Sequence, residues 1–372
     1  MSSRNWSRRV LELSRDLLQT ALRLVPWPTE PGLREVGSPG PGSPVILTCN
    51  YDLTVRRVVR ALAGCDVWLV AAPSAGINVW CAAAGGHFGT HQVVTALKTS
   101  GIEARVRHRR VILPQLSANG VVARDVSRRC GWKVRFGPVY AADLPRYLGS
   151  QEKKDEAMRR VRFGPVERLE MAAAWAVPSA LLVAGLAALF RPGWSLPLAA
   201  LAAGLALAIF FFYDRLPGPR GPLLATASAG IALALVWWTG GGGAALSIAL
   251  IAPPALVALL TYDYTGSTPI EGGSHFEELR WHIVLDPERC RGVFSCFEVC
   301  PEACFEKREE PRLAVHAAAE RCIRCGACVV QCPRDAIHFE DETGGEIEPE
   351  TIRRYKLNLF GKRAVDLGTE KT

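Results

Sequence analysis

Cys322-Ile323-Arg324-Cys325-Gly326-Ala327-Cys328-Val329-Val330-Gln331-Cys332-Pro333 decides the fold of the last third of the chain. Three thiols at i, i+3 and i+6 on one tight loop hold three irons of a cube. A fourth cysteine followed by proline serves the other cluster in the bacterial ferredoxin pattern. Zinc sites need no such fourth cysteine before a proline. Residues 281–340 therefore read as an α+β, ferredoxin-like two-cluster domain.

The run upstream is incomplete. Cys290 and Cys296 stand where first and third ligands belong, and Cys300-Pro301 supplies the fourth position, but Val293 occupies the second. The sets that result are Cys300, Cys322, Cys325 and Cys328 for one full 4Fe–4S cluster, and Cys290, Cys296 and Cys332 for the other. Three thiols suit a 3Fe–4S centre or a labile 4Fe–4S cube. Two alternatives stay open: rescue by Cys304 after a loop rearrangement, or no second cluster. Cysteines clustered at metal spacing favour a reducing compartment over disulfides.

Before this domain the chain turns apolar. Residues 171–190, 193–213 and 221–262 contain no charged side chain. A span needs about 20 apolar residues, and Thr239 with Gly240–Gly243 breaks the last window. Four spans follow, at 171–190, 194–213, 221–239 and 244–262. Arg159, Arg160, Arg162 and Arg168 precede the first, and Arg215 and Arg220 lie between the second and third. Basic residues gather on the cytoplasmic side, so both soluble domains are expected in the cytoplasm, anchored to the inner membrane. No ionisable group lies inside a span, which argues against an ion-coupled transporter.

Residues 44–168 alternate short apolar runs with amphipathic stretches, the signature of a mostly parallel, Rossmann-like α/β sheet. Strands are expected at 45–47, 67–70, 111–113 and 133–136, and ligands bind beyond their carboxyl ends. Residues 1–25 space Trp6, Val10, Leu13, Leu17, Ala21 and Leu24 helically among arginines, either on a membrane surface or packed on the next domain. Residues 26–43, rich in Pro and Gly, read as a linker. A second linker is expected at 264–280 and a tail at 341–372. The net charge of +8 comes mostly from arginine without an aromatic-interleaved basic face, which argues against a nucleic-acid partner.

Cys81 lies in Gly76-Ile77-Asn78-Val79-Trp80-Cys81-Ala82-Ala83-Ala84-Gly85-Gly86-His87-Phe88-Gly89-Thr90. By pattern alone it is either a small apolar residue on a short helix or a ligand near backbone that glycines open. Asn78–Ala83 with Phe88-Gly89-Thr90 resembles the cap-helix signature of the HgcA family, the corrinoid proteins of microbial mercury methylation. Asn50-Tyr51-Asp52-Leu53-Thr54-Val55-Arg56-Arg57, Ile112-Leu113-Pro114-Gln115-Leu116 and Gly137-Pro138-Val139 agree with it. Residues 290–363 are similar to the partner ferredoxin family, HgcB, down to Ile347-Glu348-Pro349-Glu350-Thr351-Ile352-Arg353-Arg354. The chain looks like a natural fusion of the two. Its α/β domain is also akin to that of the corrinoid iron–sulfur protein of the acetyl-CoA pathway, which lacks the cysteine.

The resemblance implies a cobalamin-type corrinoid bound base-off, with the Cys81 thiolate as lower ligand to cobalt. The residues it points to around the cofactor are Asn50, Asn78, Val79, Trp80, Ala82, Phe88, Gly89, Thr90, Gln115, Gly137 and Pro138. It implies methyl transfer from methyl-Co(III) to a soft acceptor such as Hg(II). A methyl-folate-dependent system would supply the methyl group, and the fused ferredoxin, itself fed by an electron donor, would return cobalt to Co(I). Three features depart from the families. Ala84-Gly85-Gly86-His87 stands where the cap helix has Gly-Lys-Gly-Thr, no cysteine follows Cys332 where the ferredoxin has a terminal pair, and Val293 replaces a ligand. Two further readings therefore stand beside mercury methylation: a corrinoid methyl carrier of one-carbon metabolism, and a membrane electron-transfer protein with a vestigial corrinoid domain.

Overall fold

The computed structural model describes residues 3–267 and 281–355. The expected linker at 264–280 and the tail beyond 355 fall mostly outside them. In chain order the main elements begin with α1 (Ser3–Ala21), β1 (Gly32–Val36), β2 (Val45–Cys49), α2 (Asp52–Ala61), β3 (Val67–Ala72), α3 (Val79–Ala84) and α4 (Thr90–Thr99). They continue with β4 (Arg110–Leu113), α5 (Ala123–Cys130), β5 (Lys133–Phe136), α6 (Leu144–Gly149), α7 (Glu156–Arg159), α8 (Pro165–Phe190), α9 (Ser195–Phe212), α10 (Arg220–Trp238) and α11 (Gly243–Ser267). The last part holds β6 (His282–Leu285), α12 (Ser295–Val299), β7 (Phe305–Glu309), β8 (Arg312–His316), α13 (Ala327–Gln331), β9 (Ile337–Glu340), β10 (Glu346–Ile347) and α14 (Pro349–Tyr355).

The first sheet has the order β1-β3-β2-β4-β5, with β2, β3, β4 and β5 parallel. Every residue of β2 and β3 is buried, as near-continuous Val, Ile, Leu and Ala runs require when helices cover both faces. Val45, Leu47 and Cys49 point to the layer holding Val93, Leu97, Val126 and Trp132. Ile46 points to the other, with Val55, Val58, Leu62, Leu144 and Tyr147. Strand order reverses between β2 and β4, so the crevice at their carboxyl ends is the topological switch point.

The linker expected at 26–43 is corrected by β1, which pairs antiparallel with β3 from Gly32↔Ala71 to Val36↔Val67. An edge strand pairs on one side only, so five residues suffice and flanking prolines do no harm. That flank hid it. The tail expected from 341 is corrected likewise: β10 pairs with β9, and Ile352 of α14 enters the core of the last domain.

Residues 26–161 and the described residues 281–355 fall in one compact unit. The α/β and ferredoxin-like domains are packed together in it. The other unit comprises α1 and α8–α11. Each of α8–α11 provides a segment long and apolar enough to span a membrane, and outward-facing Leu181, Leu189, Phe190, Leu196 and Trp237 are exposed. An apolar exterior over a small-residue interior (Ala172, Ala176, Ala206) suits lipid, where close backbone approach holds helices together. At one end Arg168 grips Asp214 through two bonds of 2.9 and 2.8 Å and also donates to the carbonyl of Phe211 at 3.0 Å. Within this unit Arg23, just past α1, pairs with Glu170 at 3.6 Å.

Candidate functional site

The cap helix is built by its ends. Asn78 has extended backbone, and its side-chain oxygen accepts from the Cys81 N–H at 3.1 Å, an N-cap that starts α3. Gly85 closes it, donating to the Cys81 carbonyl at 2.8 Å. Six residues cannot hold a helix alone, so tertiary burial of Val79, Ala82, Ala83 and Ala84 does so. Trp80 and Cys81 are left half-buried on the other face. Behind the helix runs the segment 115–123. A Cβ on Gly120 would lie 2.7 Å from the Ala83 carbonyl oxygen and 2.8 Å from that of Phe88, so the two backbones meet only because no side chain intervenes.

The remaining expected cofactor residues also make contacts within the protein framework. Phe88, Gly89 and Thr90 are buried, and Thr90 Oγ1 accepts from the Val122 N–H at 2.9 Å. Asn50 Oδ1 accepts from the Ser74 and Gly76 N–H groups and from the Ser74 hydroxyl, while its amide donates to the Thr29 carbonyl. Gln115 donates to the carbonyls of Arg159 (2.7 Å) and Cys300 (3.2 Å) and accepts from Lys154 Nζ (2.8 Å). Both side chains, read from sequence as cofactor contacts, are thus engaged by protein. Gly137 lets β5 reach β4, since a Cβ there would lie 2.8 Å from Ile112 Cγ2, and Pro138 beside it is buried.

The cysteine loops repeat with an offset of 32 residues. Gly292 and Arg324 are left-handed (φ 59° and 52°), as are Phe294 and Gly326 (62° and 72°) and Ala303 and Asp335 (50° and 52°). The Cys304 N–H approaches Cys300 Sγ at 3.3 Å, and the Ala336 N–H approaches Cys332 Sγ at 3.3 Å. Val293 therefore stands in the backbone position that Cys325 holds in the second loop. Cys290, Cys296, Cys332 and Val293 line one cavity. Cys300, Cys322, Cys325 and Cys328 line another, together with Cys304. Cys304 lies with the complete set, so the structure does not bring it to the deficient one. Amides aimed at ligand sulfurs and thiols converging on two cavities fit iron–sulfur cubes. Hydrogen bonding from Cys304 pulls Cys300 down to about 7 and Cys322 to about 5, whereas burial pushes Cys296 up to about 12.

Sequence reasoning missed the residues that join the two domains. Gln331 donates to the carbonyls of Ala118 and Val121, each at 2.6 Å. Lys154 donates to the Glu298 carbonyl at 2.6 Å, and the Val161 N–H to that of Pro301 at 2.8 Å. Arg159 lies 3.7 Å from the Phe297 ring centroid. No local pattern marks such residues, because their partners are far away in sequence.

The paired cysteine loops are those of an iron–sulfur-binding domain, and residues 318–338 match the family profile "4Fe-4S binding domain". Residues 11–148 match the profile "CO dehydrogenase/acetyl-CoA synthase delta subunit". The acetyl-CoA decarbonylase/synthase complex subunit gamma of Methanopyrus kandleri is 34% identical over 125 residues, 33% of this chain and 27% of that protein. The Archaeoglobus fulgidus subunit gamma is 34% identical over 125 residues (33% and 26%), and that of Methanothermobacter thermautotrophicus 35% over 125 (33% and 27%). The chain spans about a quarter of the length of these relatives.

Proposed function

We propose that this chain is a membrane-anchored corrinoid methyl carrier that reduces its own cobalt. The observation that carries the reading is Cys81, half-buried on a capped helix whose other face is locked against Gly120. The donor set fits the group: one thiol and an indole lie on that face, and Asn119, in the segment behind α3, has a buried side-chain oxygen without a partner among the described residues. An amide-rimmed corrin ring offers the donors such an oxygen needs. When bound, the corrinoid supplies the transferable methyl group and the cobalt redox chemistry. Cys81 would hold cobalt, Asn78 keeps the Cys81 backbone in place, and Trp80 would shield the site beside it. The two cysteine sets would hold the complete cluster and the three-iron or labile one.

The packing of residues 26–161 against the ferredoxin-like domain supports one compartment for both, as four crossings require, and the arginine distribution favours the cytoplasm. A methyl-folate-dependent donor system and a separate electron donor complete the scheme. For the acceptor, the cysteine-bearing cap helix favours a soft metal such as Hg(II). A second reading, a carbon acceptor, draws support from relatives named as subunits of acetyl-CoA decarbonylase/synthase. The test is anaerobic production of the full chain with cobalamin, an optical spectrum of the protein and of Cys81→Ala, and methyl-transfer assays offering Hg(II) or a carbon acceptor. A Cys81-dependent cobalt spectrum with methylmercury formed supports the first acceptor. The same spectrum with transfer to carbon alone supports the second, and identical spectra from the two proteins refute the assignment.

A further inference from the structure

Besides Lys154, Arg159 and Val161, the segment 115–123 joins the α/β domain to the ferredoxin-like domain. One side of it backs the cap helix through Gly120. The other side carries the ferredoxin-like domain. Gln331 donates to the Ala118 and Val121 carbonyls and accepts from the Ala123 N–H at 3.3 Å. Ala118 packs in one cluster with Val299, Ala327 and Cys325, and Gln115 donates to the Cys300 carbonyl. Cys300 and Cys325 both belong to the complete set. The three-thiol cavity is different: it is lined by the ferredoxin-like domain alone. Val293 at its missing corner is 56% exposed, and Arg291 and Arg334 beside it are exposed too.

We propose that residues 115–123 are the electron bridge of this protein, through which the complete cluster reduces cobalt at Cys81, while the three-thiol set takes electrons from outside. The inference rests on the corrinoid reading above. In the step, one electron leaves the reduced complete cluster, which is oxidised, and takes Co(II) to Co(I); no proton or atom moves. The outer cluster refills the inner one and is itself refilled by a low-potential one-electron carrier protein with an acidic docking face, complementary to the exposed arginines. Gln331 is a positioning residue: it fixes the bridge and touches neither cobalt nor iron.

The test uses the full chain in detergent with clusters reconstituted and cob(II)alamin bound, unmodified and as Gln331→Ala. Samples frozen at set potentials before cobalt is reduced distinguish the two centres by their spectra, because the cube gains a half-integer spin on reduction while the three-iron centre has one only when oxidised. Co(II) spin relaxation should be enhanced more by the reduced cube than by the oxidised three-iron centre. Gln331→Ala should lower that enhancement and slow single-turnover cobalt reduction by about ten-fold, as misplacement of a donor does, with cluster content and potentials unchanged. Greater enhancement by the three-iron centre, or an unaltered rate and enhancement in Gln331→Ala, overturns the bridge alone. A cobalt signal indifferent to Cys81→Ala overturns the reading beneath it, and the bridge with it.

Discussion

Replacing Val293 by cysteine should complete the outer cluster. The backbone is already shaped for a ligand there, since the flanking residues at 292 and 294 share the left-handed conformations of 324 and 326 beside Cys325. The helices that follow, Ser295–Val299 and Ala327–Gln331, begin at the same offset. Val293 is 56% exposed, so the substitution forfeits only part of one valine's burial, below about 1 kcal/mol. It adds a fourth thiolate to a site with three. Bound iron should rise from about seven to about eight atoms per chain as a three-iron centre becomes a cube. The assay is iron analysis with electron paramagnetic resonance of the oxidised protein. The unmodified chain should show a signal near g = 2.01 (roughly, for a three-iron centre), and Val293→Cys should abolish it and lower the potential of that centre. The reasoning is refuted if the unmodified chain already binds about eight irons and is silent when oxidised, or if the variant keeps the signal.

Three other outcomes are expected. Asn78→Ala removes the N-cap of a six-residue helix, worth about 1 kcal/mol; amide exchange at Cys81 and Ala82 should quicken about five-fold, and an unchanged rate would show that burial alone holds α3. Arg168→Gln leaves Asp214 without its bidentate partner at the helix-bundle end, a loss of about 3 kcal/mol; the thermal midpoint in detergent should fall, and adding Asp214→Asn should restore part of it. Burial pushes Lys154 from 10.5 down to about 7. Between those values the unfolded chain keeps a proton that the native one has released, so stability rises with pH across that window, by up to about 1.4 kcal/mol per unit. Urea unfolding of the protein at pH 7, 8 and 9 should show that slope, and Lys154→Met should flatten it; a flat profile in the unmodified protein would mean that Lys154 stays charged when buried.

Cysteine spacing, uncharged windows and the alternation of apolar runs are local properties, and they determined the ferredoxin-like domain, the four apolar helices and the parallel sheet. Val45–Cys49 and Val67–Ala72 are legible as buried strands because helices on both faces demand unbroken apolar runs. Val293 is legible as a missing ligand because its neighbours keep the spacing of a complete loop. Strand β1 was hidden, since an edge strand among prolines shows neither alternation nor length. The protein partners of Asn50 and Gln115 were also beyond local reading: nothing near Gln115 in sequence announces that it reaches a carbonyl 185 residues away. Gly120 looked like any turn glycine until the Ala83 and Phe88 carbonyls were seen against it. Sequence by itself settled which groups are present, because each element's composition is contained within it. Only the tertiary structure decided which groups meet, because packing the two domains into one unit brings together residues that no local spacing relates.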